Sequence, residues 1–287
     1  MSRQRQQGEE TFGLSKIVGS ALDDTQLWAA LIAEAEAFAK SEPMLRPYLN
    51  DVVLRHGDFA SALGAQLSNT IFNESFDRHF LAMLHFQAVS DDPSIVAASS
   101  RDLRAFNERD PAAETVLFPF LYQKGFQAVQ WHRIAHWLWN LGRRQIALLL
   151  QARTAQVLAV DIHPAATIGG GFFMDHATGV VIGETAVVGD NVSMLHAVTL
   201  GGTGKDSGDR HPKIRDDVLL GAGVKVLGNI EVGRGAKVGA GSVVVSDVPP
   251  WSTVVGVPAQ VVGTNSQESS PAVEMDQRLP GSANYCI

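Results

Sequence analysis

Aliphatic residues recur at every sixth position through the second half of the chain. Ile162, Ile168 and Met174 make a first flight, and Ile182, Val188, Met194 and Leu200 a second. Ile214, Leu220, Val226, Val232, Val238 and Val244 make a third. Gly follows many of these rungs, and a small or β-branched residue often stands four places after one, as at Ala166, Ala186, Val192, Val218 and Ala236. A helix repeats at about 3.6 residues and a sheet of hairpins at 2, so neither gives a strict period of six. A parallel β-helix does, because each strand-plus-turn is one side of a coil and the rung points inward. With three sides, residues one coil apart stack at about 4.8 Å, the spacing of paired strands.

The ladder breaks register twice. Met174 to Ile182 is eight residues, so two are surplus; Leu200 to Ile214 is fourteen, the excess being the segment GGTGKDSGDRHPK. A coil needs no such insert to close. Its glycines drive no burial, and Lys205, Asp206, Asp209, Arg210 and His211 belong in water. The insert reads either as a tolerated surface loop or as a loop that brings charge over a substrate.

Composition shifts near Val160 from Ala, Leu, Trp, Phe, Glu and Arg to Gly, Val and Ile, which predicts two domains in 287 residues. The expected division is a flexible tail at 1–22, a helical domain at 23–160, the coil at 161–262 with about five turns, and a flexible tail at 263–287. Within the helical part, Ser41-Glu42-Pro43, Asp92-Pro93 and Asp110-Pro111 read as helix starts. The segment 27–40 carries Leu27, Leu31, Ile32, Ala35 and Phe38 on one face. The aromatic-dense segment 126–142 stops at Gly142. Its wide apolar surface predicts burial against its own domain and a neighbouring subunit.

A net charge of −7 and the lack of a basic run with interleaved aromatics argue against a nucleic-acid partner. No apolar stretch reaches the roughly 20 residues of a membrane span, and the N-terminus lacks the apolar core of a secretion signal. One cysteine, Cys286, excludes an internal disulfide and a thiolate zinc cluster, and the cytosol is the expected compartment.

His176, in MDHATG, stands immediately before the two-residue surplus. It reads as a satisfied turn histidine or as a base, with Asp175 adjacent and Asp161 nearly one storey below. Asp161 also reads as a cap between the last helix and the coil, and Asp110 as a helix cap. His196 should stack on His176, 20 residues earlier. The coil histidines lack the close pairing that zinc prefers, so no metal is expected.

At these residues the chain resembles the serine acetyltransferases, hexapeptide-repeat enzymes that acetylate L-serine on the route to cysteine. The stretches are RDPA (109–112), AHWLWN (135–140), VDIHPAA (160–166), DHATG (175–179), VTLGGTGK (198–205), GDRHPKI (208–214), VLGNIEVGRGAKVGAGSVV (226–244) and GVPA (256–259). DHATG together with GGTGK and DRHPKI separates this family from the sugar and chloramphenicol acetyltransferases that share only the repeat. The resemblance implies a left-handed coil, subunits that trimerise through their coils, a homohexamer of two trimers joined by the helical domains, and active sites between adjacent coils. It implies His176 as general base oriented by Asp161, a serine pocket of Asp110, Asp175, Arg210 and His211, and a wall of Gly202, Thr203, Gly204, Ala222, Gly223 and Ala240 for acetyl-CoA. Transfer is then direct, without an acyl-enzyme. It further implies inhibition by cysteine and insertion of the C-terminal Ile287 into O-acetylserine sulfhydrylase, although Cys286 beside that terminus departs from the pattern. Two rival readings stand: the same coil acting on homoserine or a sugar, and a non-catalytic β-helix scaffold.

Overall fold

The computed structural model describes residues 22–278, apart from 75, 206 and 269. Among the described residues, eight α-helices precede the coil: α1 (Asp24–Ser41), α2 (Arg46–Leu49), α3 (Phe59–Ile71), α4 (Arg78–Asp91), α5 (Ser94–Arg109), α6 (Leu117–Tyr122), α7 (Lys124–Asn140) and α8 (Arg144–Leu158). Asp23 and Gln26 open α1 with a reciprocal capping box: Asp23 Oδ1 accepts the N–H of Gln26 and Gln26 Oε1 that of Asp23. The fully buried stripe of α1 is Leu27, Leu31, Ala35 and Ala39, with Ile32 and Phe38 at its edge.

Helix α7 is the axle of the helical domain. Nearly all of it from Gly125 to Leu138 is buried, and it touches α3, α4, α5, α6 and α8 as well as the strands Val160–Ile162 and Phe173–Met174. Most of its apolar girth is therefore covered by its own chain.

One predicted helix start fails. Asp110 caps the C-terminus of α5, Pro111 and Ala112 form a turn, and the next helix waits until Leu117. The carboxylate explains why: Asp110 Oδ1 accepts the N–H of Ala112, a local turn that competes with helix initiation.

Helix α8 ends at Leu158, and Ala159 turns the chain through a left-handed residue (φ 56°) into the coil. Three parallel sheets form its walls. Face one stacks Ile162, Ile182, Leu200, Val226 and Val244; face two stacks Ile168, Val188, Ile214 and Val232; face three stacks Met174, Met194, Leu220, Val238 and Val254. All thirteen rungs of the sequence ladder are buried. The register breaks survive as coil lengths: Met194 lies 20 residues above Met174, Leu220 lies 26 above Met194, and Val238 lies 18 above Leu220. Above the last coil, Ser252–Gly256 folds back as an antiparallel hairpin with Ala259–Thr264, which ends the parallel stacking.

The three outer faces differ. Face three is covered: Phe173 packs edge-on against Phe106 of α5 with ring centroids 4.8 Å apart, and Ser193, Leu219, Lys237 and Thr253 are all buried. Part of that cover is the segment expected to be a flexible tail from 263. Asn265 donates to the carbonyls of Gly235 and Ser252, a short helix α9 (Pro271–Glu274) buries Ala272, and Ser193 Oγ donates to the Ala272 carbonyl at 2.6 Å. Lys237 Nζ donates to the carbonyls of Asp276 and Arg278. Main-chain groups dock this strap, so no hydrophobic period was needed to hold it. Residues 279–287, with Cys286 and Ile287, lie outside the described residues. Face one stays open, with Val181 40% exposed on its outer side. No helix among the described residues is long and apolar enough to cross a membrane.

Candidate active site

The site residues gather at two edges of face one. At the first edge, where face three turns into face one, the two surplus residues push the corner Asp175–Gly179 outward. His176 (φ 55°) and Ala177 (φ 59°) are consecutive left-handed residues with side chains, a conformation that costs about 1–3 kcal/mol each and persists only where the surroundings impose it. The surroundings here are main-chain ties: Asp175 N–H donates to the Met194 carbonyl, Gly179 N–H to that of Ala159, and Ala197 N–H to that of Thr178. The His176 side chain is 73% exposed, its Nε2 lies 3.5 Å from Asp175 Oδ2, and its ring meets that of His196 edge-on at 5.9 Å.

Asp110 arrives at this edge from the end of α5 and is 8% exposed. Its Oδ2 accepts from Gln123 Nε2 at 3.0 Å. Burial pushes the Asp175 carboxyl above the ordinary aspartate range; His176 opposes that shift and the nearby Asp110 reinforces it. A buried and a partly buried carboxylate beside an exposed imidazole have the chemistry to receive a cation next to a base. Directly above His176 and His196 the same edge continues in small residues. Gly223 N–H donates to the His196 carbonyl and Gly241 N–H to that of Ala222, so Ala222 and Gly223 lie under Ala240 and Gly241.

The second edge, where face one turns into face two, holds the insert. Arg210 Nη2 donates to Glu184 Oε2 at 2.7 Å, and the backbone N–H groups of Arg210 and His211 both donate to Thr185 Oγ1. His211 Nδ1 accepts the N–H of Thr185, and burial, with Arg210 beside it, holds this imidazole below the ordinary histidine range. Lys213 Nζ ties the base of the loop to Asp209 and to the carbonyls of Thr185 and His211. Gly202, Thr203 and Gly204 start the loop here, with Thr203 beside Gly228. His163 faces the same cluster, held low by burial despite Glu184 and Asp161.

Asp161 stands between the two edges on the outer side of face one, and its Oδ1 accepts from Gln151 Nε2 of α8 at 2.6 Å. It pairs in register with Val181, around the corner from His176. Within the chain, then, Asp175, His176, Asp110, Ala222, Gly223 and Ala240 are on one edge, and Arg210, His211 and Gly202–Gly204 on the other. Sequence reasoning missed Gln123, Gln151, Glu184 and Thr185, which hold Asp110, Asp161, Arg210 and His211. No local motif marks them, because each pairs across ten or more residues. Among the described residues, no group of histidine, cysteine and carboxylate side chains is arranged to hold a metal ion.

One glycine is demanded by this geometry. A Cβ on Gly183 would sit 2.1 Å from the His211 ring. Gly183→Ala is expected to displace His211 and to destabilise the protein by about 1–3 kcal/mol, seen as a lower Tm. Thermal unfolding of the variant beside the parent checks this.

The family described as serine acetyltransferase, N-terminal, matches residues 27–131, and the bacterial transferase hexapeptide family of six repeats matches 211–246. A serine acetyltransferase of Salmonella typhimurium is 50% identical over 255 residues, which cover 89% of this chain and 93% of that protein. The chain belongs to the serine acetyltransferase family. Among solved structures of the family, a serine acetyltransferase in complex with cysteine superimposes with a TM-score of 0.87 at 45% identity, covering 90% of this chain and all of that one. Soybean serine acetyltransferase complexed with serine gives 0.82 at 54% identity, covering 83% and 98%. The coil is accordingly the family's left-handed β-helix, an exception to the usual right-handed crossover, and the chain is an acyltransferase.

Proposed function

We propose that this acyltransferase moves the acetyl group of acetyl-CoA onto the hydroxyl of L-serine, giving O-acetylserine and CoA for cysteine synthesis. The observation that carries the reading is the first edge: an exposed imidazole on an imposed left-handed corner, with Asp175 and Asp110 beside it and a column of small residues above. The two carboxylates receive the serine ammonium, and the ionised form of Asp175, which burial disfavours, becomes favourable once the cation is beside it. Arg210 receives the serine carboxylate with His211 beside it, the guanidinium being held ready by Glu184. The pantetheine arm runs along Ala222, Gly223 and Ala240 on one side and Gly202, Thr203 and Gly204 on the other, where small side chains let it approach the backbone.

His176 takes the serine hydroxyl proton as the oxygen attacks the thioester carbonyl, with Asp161 as the carboxylate that orients its ring. The tetrahedral intermediate expels the thiolate of CoA, and the imidazolium returns its proton to sulfur. No acyl-enzyme forms, and positioned base catalysis of this kind contributes about 10²- to 10⁴-fold.

Because the two halves of the pocket stand on opposite edges of one face, a complete site needs the first edge of one coil to meet the second edge of the next. Exposed Leu148, Leu149 and Val157 on α8 and Val181 on face one give that contact an apolar surface. This supports a trimer of coils, two of which join through helical domains as a hexamer. Cysteine, with the ammonium and carboxylate of serine, fits the same groups as an inhibitor, in keeping with the complex of the relative. Insertion of the terminal Ile287 into O-acetylserine sulfhydrylase remains part of the reading. The deciding experiment follows free thiol released from acetyl-CoA. L-Serine is expected to support turnover at a kcat/KM at least about 100-fold above homoserine or sugars. A sugar or homoserine as the better acceptor reassigns the substrate, and no thiol release with any acceptor returns the chain to a scaffold.

A further inference from the structure

Three consecutive residues at the start of α7 each hold a different part of the first edge. Gln123 Nε2 donates to Asp110 Oδ2 at 3.0 Å. Lys124 Nζ donates to Thr178 Oγ1, two residues after His176. Gly125 lies so close to the corner that a Cβ there would be 2.2 Å from the Met174 carbonyl oxygen and 3.2 Å from Ala177 Cβ. Asp110 and His176 are otherwise carried by separate elements, the end of α5 and the wall of the coil. Beside the direct packing of α5 on the wall through Phe106 and Phe173, the tripeptide touches both Asp110 and the corner that carries His176.

We infer that Gln123, Lys124 and Gly125 form a positioning clamp that sets the serine-binding carboxylate Asp110 and the base His176 at their working separation. The inference rests on the reading in which those two residues flank serine, and it adds what holds them apart. The physical need is specific. Two left-handed residues in succession do not keep their geometry unaided, and a base that drifts by about 1 Å can lose about a hundredfold in rate. Asp110 has the converse need: its Oδ1 is committed to the Ala112 N–H, so Gln123 fixes the direction in which Oδ2 is presented. Helix α7 is a suitable anchor because nearly all of it downstream of Gly125 is buried in the helical domain. Lys124 and Gln123 touch neither reacting atoms nor, in this reading, the coenzyme, so they position rather than catalyse.

The clamp separates kinetically into two jaws. Lys124→Met keeps the aliphatic stem but releases Thr178; kcat is expected to fall about tenfold, with the KM for serine within about twofold of the parent. Lys124→Arg restores the donor and most of the kcat. Gln123→Leu removes the amide donor from Asp110 Oδ2 and is expected to raise the KM for serine about tenfold, with kcat within about twofold. Both are measured on the full-length protein, with oligomer mass and Tm compared with the parent. Parental kcat in Lys124→Met overturns the proposal, as does an equal loss in both parameters that Lys124→Arg does not recover, or an unchanged KM for serine in Gln123→Leu. An active His176→Ala enzyme defeats the underlying reading instead; an inactive one beside an unaffected Lys124→Met defeats the clamp alone.

Discussion

Replacing His176 with alanine is expected to lower kcat by about 10³-fold, the middle of the range for removing a positioned general base. The ring is 73% exposed and lies against His196 and Asp175, so its loss empties no core space. The backbone needs a separate control, because residue 176 has φ 55° and alanine tolerates that region poorly. His176→Asn supplies it: asparagine accepts left-handed backbone readily but offers no base at neutral pH. The two variants should therefore share the loss in kcat, keep the parental oligomer mass, and differ from each other mainly in Tm. Steady-state thiol release checks the first and native mass the second. Turnover above about a tenth of the parent in either variant rules out His176 as the base.

The coil was legible because its physics is repetitive. Each rung is one inward position in a wall, so thirteen residues announce the same environment, and the surplus residues at 174–182 and 200–214 become the coil lengths of 20 and 26. The corner carrying His176 could be found from a break in that rhythm, and its stacking on His196 from a spacing of 20. What the rhythm cannot encode is a partner on another element. Gln123 reaches Asp110 across a turn, Gln151 reaches Asp161 from a helix, and Glu184 reaches Arg210 across one coil. Asp110-Pro111 misled because the same pair suits a helix start and a side-chain-capped turn. The strap at 265–278 misled because a segment without periodicity still has carbonyls, and Lys237 and Ser193 needed them.

The proposed division of the pocket between two edges of face one leads to a further large effect, seen only in mixtures. If each cleft takes His176 from one coil and Arg210 from the next, the two groups are supplied by different chains of a cyclic trimer, a heterologous contact. His176→Ala lacks the base, and Arg210→Ala lacks the guanidinium, whose charge-assisted pairing with a carboxylate makes a loss of about 100-fold in kcat/KM expected. Each variant alone is nearly inactive. Co-expressed in equal amounts, they form random trimers in which a cleft is intact when an Arg210→Ala chain supplies the imidazole and a His176→Ala chain the guanidinium; this holds at about a quarter of clefts. Mixed enzyme should thus recover about a quarter of parental activity. Wild type mixed equally with the double variant gives the complementary figure, since an intact cleft then needs two adjacent wild-type chains, again about a quarter. Were both groups drawn from one chain, the first mixture would stay as inactive as its components and the second would retain about half. Those paired outcomes distinguish a site shared between coils from one closed within a coil, whatever the absolute rates.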